Sequence, residues 1–461
     1  MKKKIIATSI VTVVAIILLV FTGFIASFKF GTRSGADDIP MLTEHKGSLT
    51  IWWPGSETER KAIDQAVADY TSQYPNVSIK VIGQQTADFY SAYTLACAGN
   101  SAPDIAYIDH VFVQALAFDG YIANFSSIGY EDLEDMFIPS LWTPGFYNDK
   151  LYAMPMSANV LATVYNKTLI ARAQNTTPDN IRLPQNFDEL VTLCEQITNL
   201  NDASTKNDPY YGLTLPSGSG NNSMAAMTYL GFINRCGGSG ILSADLTKSL
   251  LDSDESIDAA QKIFKLGKYC PTSFSEAVFE KGQLGFIEMG PWKIADYESY
   301  SERYGWEVGY TTALPFTEGG NVGSTIGLYD LVVTNKQSEP QKMALAADFV
   351  KFVTTTDKYQ LMFATPQNLI PTTQSAVTDE FYSGEVWQVF IEQLRHGVAR
   401  PGSPVWSSIE TTLGNFVTKL VQQKFKNDRD VMNNCIGYSD MIQEALDEIY
   451  GGQTVQEEQN E

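Results

Sequence analysis

Ser48-Leu49-Thr50-Ile51-Trp52-Trp53 is a short β-type run, and Pro54-Gly55 turns it. Helical periodicity follows from Glu57 to Tyr74. Val77 to Ile82 alternates its apolar residues as a second strand, and Asp88 to Ala98 reads as a helix. Pro103 to Ile108 is a third strand, apolar apart from Asp104. Val111 to Phe118 is a helix closed by Asp119-Gly120. Strand, helix, strand, helix, strand at this spacing predicts a parallel sheet with helices on its faces.

A second block starts near Met156. Ala158 to Tyr165 is strand-like, and Pro184 to Asn199 is a helix whose start carries Asn186 before Asp188-Glu189. Ser223 to Arg235 and Ser256 to Cys270 read as further helices. A Gly-rich crossing, Gly319 to Gly323, leads to a strand from Leu328 to Thr334 and a helix from Gln341 to Thr354. From Glu385 onward the pattern is helical, apart from a loop at Arg400 to Pro404. Between these blocks, Phe279-Glu280-Lys281-Gly282 leads into Leu284 to Met289, a run with the length of a buried strand. Gly290-Pro291 ends that strand in a forced turn and sets Trp292 at the rim of a sheet. Such an indole suits stacking on a ligand; from these residues alone, a core tryptophan is the plainer reading.

The net charge of −21 argues against nucleic acid as a partner, because phosphate neutralisation needs clustered Lys and Arg. The five cysteines, Cys97, Cys194, Cys236, Cys270 and Cys435, stand far apart in sequence. No zinc-type or dithiol spacing is present, so no metal and no cofactor is expected. Three histidines, His45, His110 and His396, give little material for a histidine-based catalytic apparatus. At the N-terminus, Lys2, Lys3 and Lys4 precede an apolar run from Ile5 to about Phe28. That run is long enough for a membrane helix, and the lysines keep its start inside, so the rest of the chain is exported. A cleaved signal peptide is the rival reading; it finds only a poor site at Thr22 to Ala26. A linker over residues 29–46 is expected to hold the globular part off the membrane.

Several stretches, taken together, resemble extracytoplasmic solute-binding proteins of ABC importers, of the maltose/maltodextrin-binding type. They are Leu49-Thr50-Ile51-Trp52, Ala102-Pro103-Asp104-Ile105, Leu151-Tyr152-Ala153-Met154-Pro155, Val164-Tyr165-Asn166-Lys167, Phe187-Asp188-Glu189-Leu190, Gly290-Pro291-Trp292, and Arg400-Pro401 with Pro404 and Trp406. The likeness runs from about Gly47 to about Tyr450. It implies an α/β two-lobe periplasmic-binding-protein fold of type II, with three crossings between lobes near Ser157, Gly323 to Gly327, and Leu369 to Thr372. The implied N-lobe is 47–157 plus 326–369, and the implied C-lobe 158–325 plus 370–461. The ligand lies in the cleft and closure traps it.

Carried over residue by residue, the resemblance implies ligand contacts at Trp292, Asn159, Asp109, His110, Trp53, Trp406, Ser56, Glu57 and Ser324. Asn159 stands where the maltodextrin binders carry a glutamate, and Ser56-Glu57 where they carry an Asp-Lys pair. An indole face stacks on the C–H face of a pyranose, and amides both donate to and accept from hydroxyls. The implied function is a sugar or oligosaccharide receptor that serves an ABC permease, monomeric and tethered on the extracytoplasmic side of the membrane. It is not an enzyme and has no catalytic residue. A phosphodiester ligand would need Arg or Lys in the cleft, which the transferred set lacks. A membrane-anchored glycoside hydrolase needs two carboxylates roughly 5–10 Å apart, and no motif singles them out. A signalling or adhesion receptor on the same fold stays open.

Overall fold

The computed structural model describes residues 37–54, 57–84, 89–202 and 204–457. The apolar segment from Ile5 to Phe28 and the residue Ser56 lie outside them. Among the described residues no helix is long and apolar enough to cross a membrane.

The strands are β1 (Gly47–Pro54), β2 (Val77–Gln84), β3 (Ile105–Asp109), β4 (Phe146–Tyr147), β5 (Lys150–Leu151), β6 (Met154–Val160), β7 (Ala162–Asn166), β8 (Tyr211–Leu213), β9 (Leu284–Met289), β10 (Val308–Thr311), β11 (Ser324–Val333) and β12 (Gly397–Ala399). The first sheet runs β12-β11-β3-β1-β2, with β6 also paired to β11. β1, β2 and β3 are parallel, as their helix-linked spacing predicts. β11 enters antiparallel to β3 and β6, so the sheet is mixed rather than purely parallel. The reason is connectivity: β11 arrives from the second sheet rather than through a helix of the first.

The second sheet runs β10-β7-β9-β8. The stretch read as one strand from Ala158 to Tyr165 is two. Leu161 separates β6 of the first sheet from β7 of the second. The chain returns between β10 and β11. It then passes along β6, where Ala158 and Ile370 exchange both backbone hydrogen bonds at 2.8 Å. The helix Glu385–Arg395 packs over β6 and β11 through Phe390 and Leu394. Beyond Arg400, the helices Trp406–Val421 and Asp428–Glu457 join the core of the second sheet through Leu413, Phe416 and Leu446.

Residues 37–46 do not form a free linker. Ile39 is buried, and its amide donates to Ser127 Oγ at 2.8 Å. Asp37 receives the Tyr152 hydroxyl. His45 stacks on Tyr74 with ring centroids 3.7 Å apart. Apolar burial and these polar ties bind the segment to the first sheet's core. Cys97, Cys194 and Cys435 are buried, and Cys236 and Cys270 are half-buried.

Candidate functional site

β3 ends at Asp109, and alternation along it puts Tyr107 and Asp109 on one face. Tyr329 of β11 is the register partner of Asp109. Its ring stacks on Tyr107, with centroids 5.2 Å apart and planes 7° from parallel. The loop after β12 brings Arg400 to the same place. Its Nη2 donates to both Asp109 oxygens, at 2.8 and 2.9 Å. These residues form one wall of a cavity of about 360 Å³. Trp292, from the turn after β9, and Ser223 and Met227, one helical turn apart, also line it. Asn159 and Gly327 lie across from one another where β6 pairs β11.

Burial alone would raise the Asp109 carboxyl. The Arg400 charge and the bonds from His110 and Arg400 outweigh it, and hold the group well below the usual carboxylate range. Burial would likewise depress the Arg400 guanidinium, and Asp109 overrides that too. The pair is therefore ionised and mutually neutralised. Behind it, burial and then the charge of Asp109 push the fully buried Asp330 carboxyl well above the usual carboxylate range.

Of the residues expected from sequence, Trp292, Asn159 and Asp109 come together on this cavity. His110 does not reach it. Only 1% exposed, it lies beneath Asp109, with Nδ1 3.0 Å from Asp109 Oδ1 and 3.1 Å from the Leu328 carbonyl. Trp53 is fully buried and packs edge-on to Phe363 and against Tyr107, because alternation along β1 turns it into the core. Trp406 opens a helix and sinks into the second sheet's core at 2% exposure. Ser324 is buried at the start of β11, and the Gly323 amide is spent on Asn321 at 2.7 Å. Glu57 begins the helix Glu57–Gln73; its side chain, like Ser56, lies outside the described residues. The sequence reading missed Tyr107, Tyr329 and Arg400. Tyr107 stands two residues before Asp109 on a strand, which is a usable signal. Arg400 lies in a loop whose sequence gives no sign of where its side chain goes; the cavity therefore holds a cation, a paired one.

Residues 65–387, well over half of the chain, match the family model described as bacterial extracellular solute-binding protein. The chain belongs to that family. Its members are binding proteins. Among curated relatives, it is 22% identical over 380 residues to a maltotriose-binding protein of Pyrococcus abyssi, covering 79% of this chain and 76% of that one. It is 24% identical over 368 residues to a multiple sugar-binding protein of Streptococcus mutans, covering 74% and 81%. Among solved structures, the cyclic alpha-maltosyl-1,6-maltose binding protein of Arthrobacter globiformis superposes with a TM-score of 0.72 at 21% identity, over 87% of this chain and 99% of that one. At that identity the likeness carries the fold.

Proposed function

We propose that the cavity binds a neutral sugar or oligosaccharide and that the chain hands it to an ABC import permease. The observation that carries this reading is the Asp109–Arg400 pair. It puts charged hydrogen-bonding groups on the wall without net charge, beside the aromatic faces of Trp292 and Tyr329. Neutral polyols need this combination: donors and acceptors for hydroxyls, and flat apolar plates for ring faces. The relatives named for maltotriose and multiple sugars support it.

Trp292, Asn159 and Asp109 are the proposed contacts, joined by Tyr329 and Arg400. His110 and Trp53 act from behind, on Asp109 and Tyr107. Trp406 and Ser324 hold the scaffold. Ser56 and Glu57 remain proposed contacts in the loop after β1. The two sheets belong to two lobes that close over the solute, and the protein works as a monomer. Its N-terminal segment anchors it on the outer side of the cell membrane.

A hydrolase would require a second cavity carboxylate. Among the described residues lining the cavity, Asp109 carries the one carboxyl group, and Arg400 holds it. Tryptophan fluorescence of the protein, titrated with neutral oligosaccharides and with a glycerol phosphodiester, tests the assignment. Saturable change with a neutral sugar is expected. A response to the phosphodiester alone would transfer the site to an anionic ligand.

A further inference from the structure

Under the second sheet lies a cavity of about 20 Å³, separate from the sugar site and walled by buried residues that include Leu190, Leu213 and Phe286. Arg235 reaches into it from the C-terminal end of the helix Asn222–Arg235. Its side chain is 1% exposed and held on several sides. Nη1 pairs with Glu288 Oε1 at 2.7 Å and donates to the Leu314 carbonyl at 3.3 Å; Nε donates to the Gly231 carbonyl at 3.2 Å. The Phe232 and Phe316 rings cover the guanidinium at 4.5 and 4.7 Å. Nη2 is buried and has no partner among the described residues.

Thr163 is the cross-strand partner of Glu288 in the β7–β9 pairing, so both side chains leave the same face of the sheet. Thr163 is 2% exposed, lines the cavity, and its Oγ1 is also without a partner. The hydroxyl of Thr214, a third lining residue, is in the same condition. Buried donors in folded proteins are nearly always satisfied, since an orphan has given up its hydration with nothing in return. About 20 Å³ is the room one water occupies.

We propose that this cavity binds a single water molecule, which accepts a hydrogen bond from Arg235 Nη2 and bonds Thr163 Oγ1. An anion is the poorer guest, because Glu288 already cancels the Arg235 charge and a second buried negative charge would be uncompensated. The site couples two elements of the sugar cavity. The helix that ends at Arg235 carries Ser223 and Met227 on its first turns, and β9 runs from Glu288 toward Trp292. The water would pin that helix to β7, the strand paired with β9, whatever the solute.

A high-resolution crystal structure of the full chain, with a second crystal soaked in sodium bromide, tests this. One spherical peak within hydrogen-bond distance of Arg235 Nη2 and Thr163 Oγ1, without bromide anomalous signal, is the expected result. A dry cavity, or a bromide peak in it, overturns the proposal. Thr163→Val should lose the peak and lower the melting midpoint by about 1–2 °C, while Thr163→Ser keeps both. A Thr163→Val protein with native midpoint and an unchanged peak would also overturn it.

Discussion

Two side chains that face the sugar cavity rest on glycines. A Cβ at Gly327 would strike the Asn159 amide, and one at Gly290 would strike the six-membered ring of Trp292. Each glycine therefore lets its neighbour lie flat over the backbone and reach the cavity. Gly327→Ala should displace Asn159 and cost about 1–3 kcal/mol through overpacking. Part of that cost should appear as weaker sugar binding in calorimetry, with the far-UV circular dichroism unchanged; native affinity would show that the amide is not used. Residue type alone did not separate the three tryptophan candidates. Trp292 follows a forced turn and stays on the rim. Trp53 sits on a strand flanked by two others, and Trp406 lies on the inner face of a helix, so both are taken by core packing. A tryptophan's surroundings, not its loop motif, decided which it was.

At the scale of elements, the acid inside the apolar stretch from Pro103 to Ile108 explains itself. Asp104 accepts from the Thr50 amide at 2.7 Å and from Lys336 Nζ at 2.7 Å, and lies 3.1 Å from Lys342 Nζ. It thus joins β1, the entry to β3 and the segment after β11. Burial pushes its carboxyl up, but the bonds from Lys336 and Thr50 and the lysine charges prevail, so it lies below its ordinary value. A depressed folded-state value contributes stability that is complete above the unfolded value of about 3.9 and is lost as pH falls through the folded one. Asp104→Asn should destabilise by about 2 kcal/mol at pH 7 in denaturant titration, and the gap to the native protein should shrink below about pH 4. A gap that grows in acid would reverse the assigned sign. The helix-linked strands β1, β2 and β3 were legible from spacing because the contacts that fix them are local. The antiparallel placement of β11 was not, because its partners β3 and β6 are more than a hundred residues away in sequence. The docking of residues 37–46 was hidden for a similar reason. Their composition is that of a linker, and only the fold supplies Ser127, Tyr74 and Tyr152 to receive them.

For the whole molecule, the chain passes between the two sheets near Leu161, between β10 and β11, and again before Trp406. The proposed closure of two lobes over the solute would hinge at these connections, because closure is the motion that buries a ligand between two bodies. A neutral oligosaccharide should therefore reduce the radius of gyration in small-angle scattering, and a non-binding sugar should not. An unchanged radius under saturating sugar would mean a rigid, open site. The central claim is that the cavity between Trp292 and the Asp109–Arg400 pair holds an uncharged saccharide. Calorimetric titration of the native protein and of Trp292→Ala with maltotriose and related neutral oligosaccharides tests it most directly. The account predicts saturable one-site binding of at least one of these sugars to the native protein, weakened roughly tenfold to a hundredfold by the substitution, a loss of about 1–3 kcal/mol. Equal affinity in the two proteins, or no heat from any neutral sugar, would contradict it.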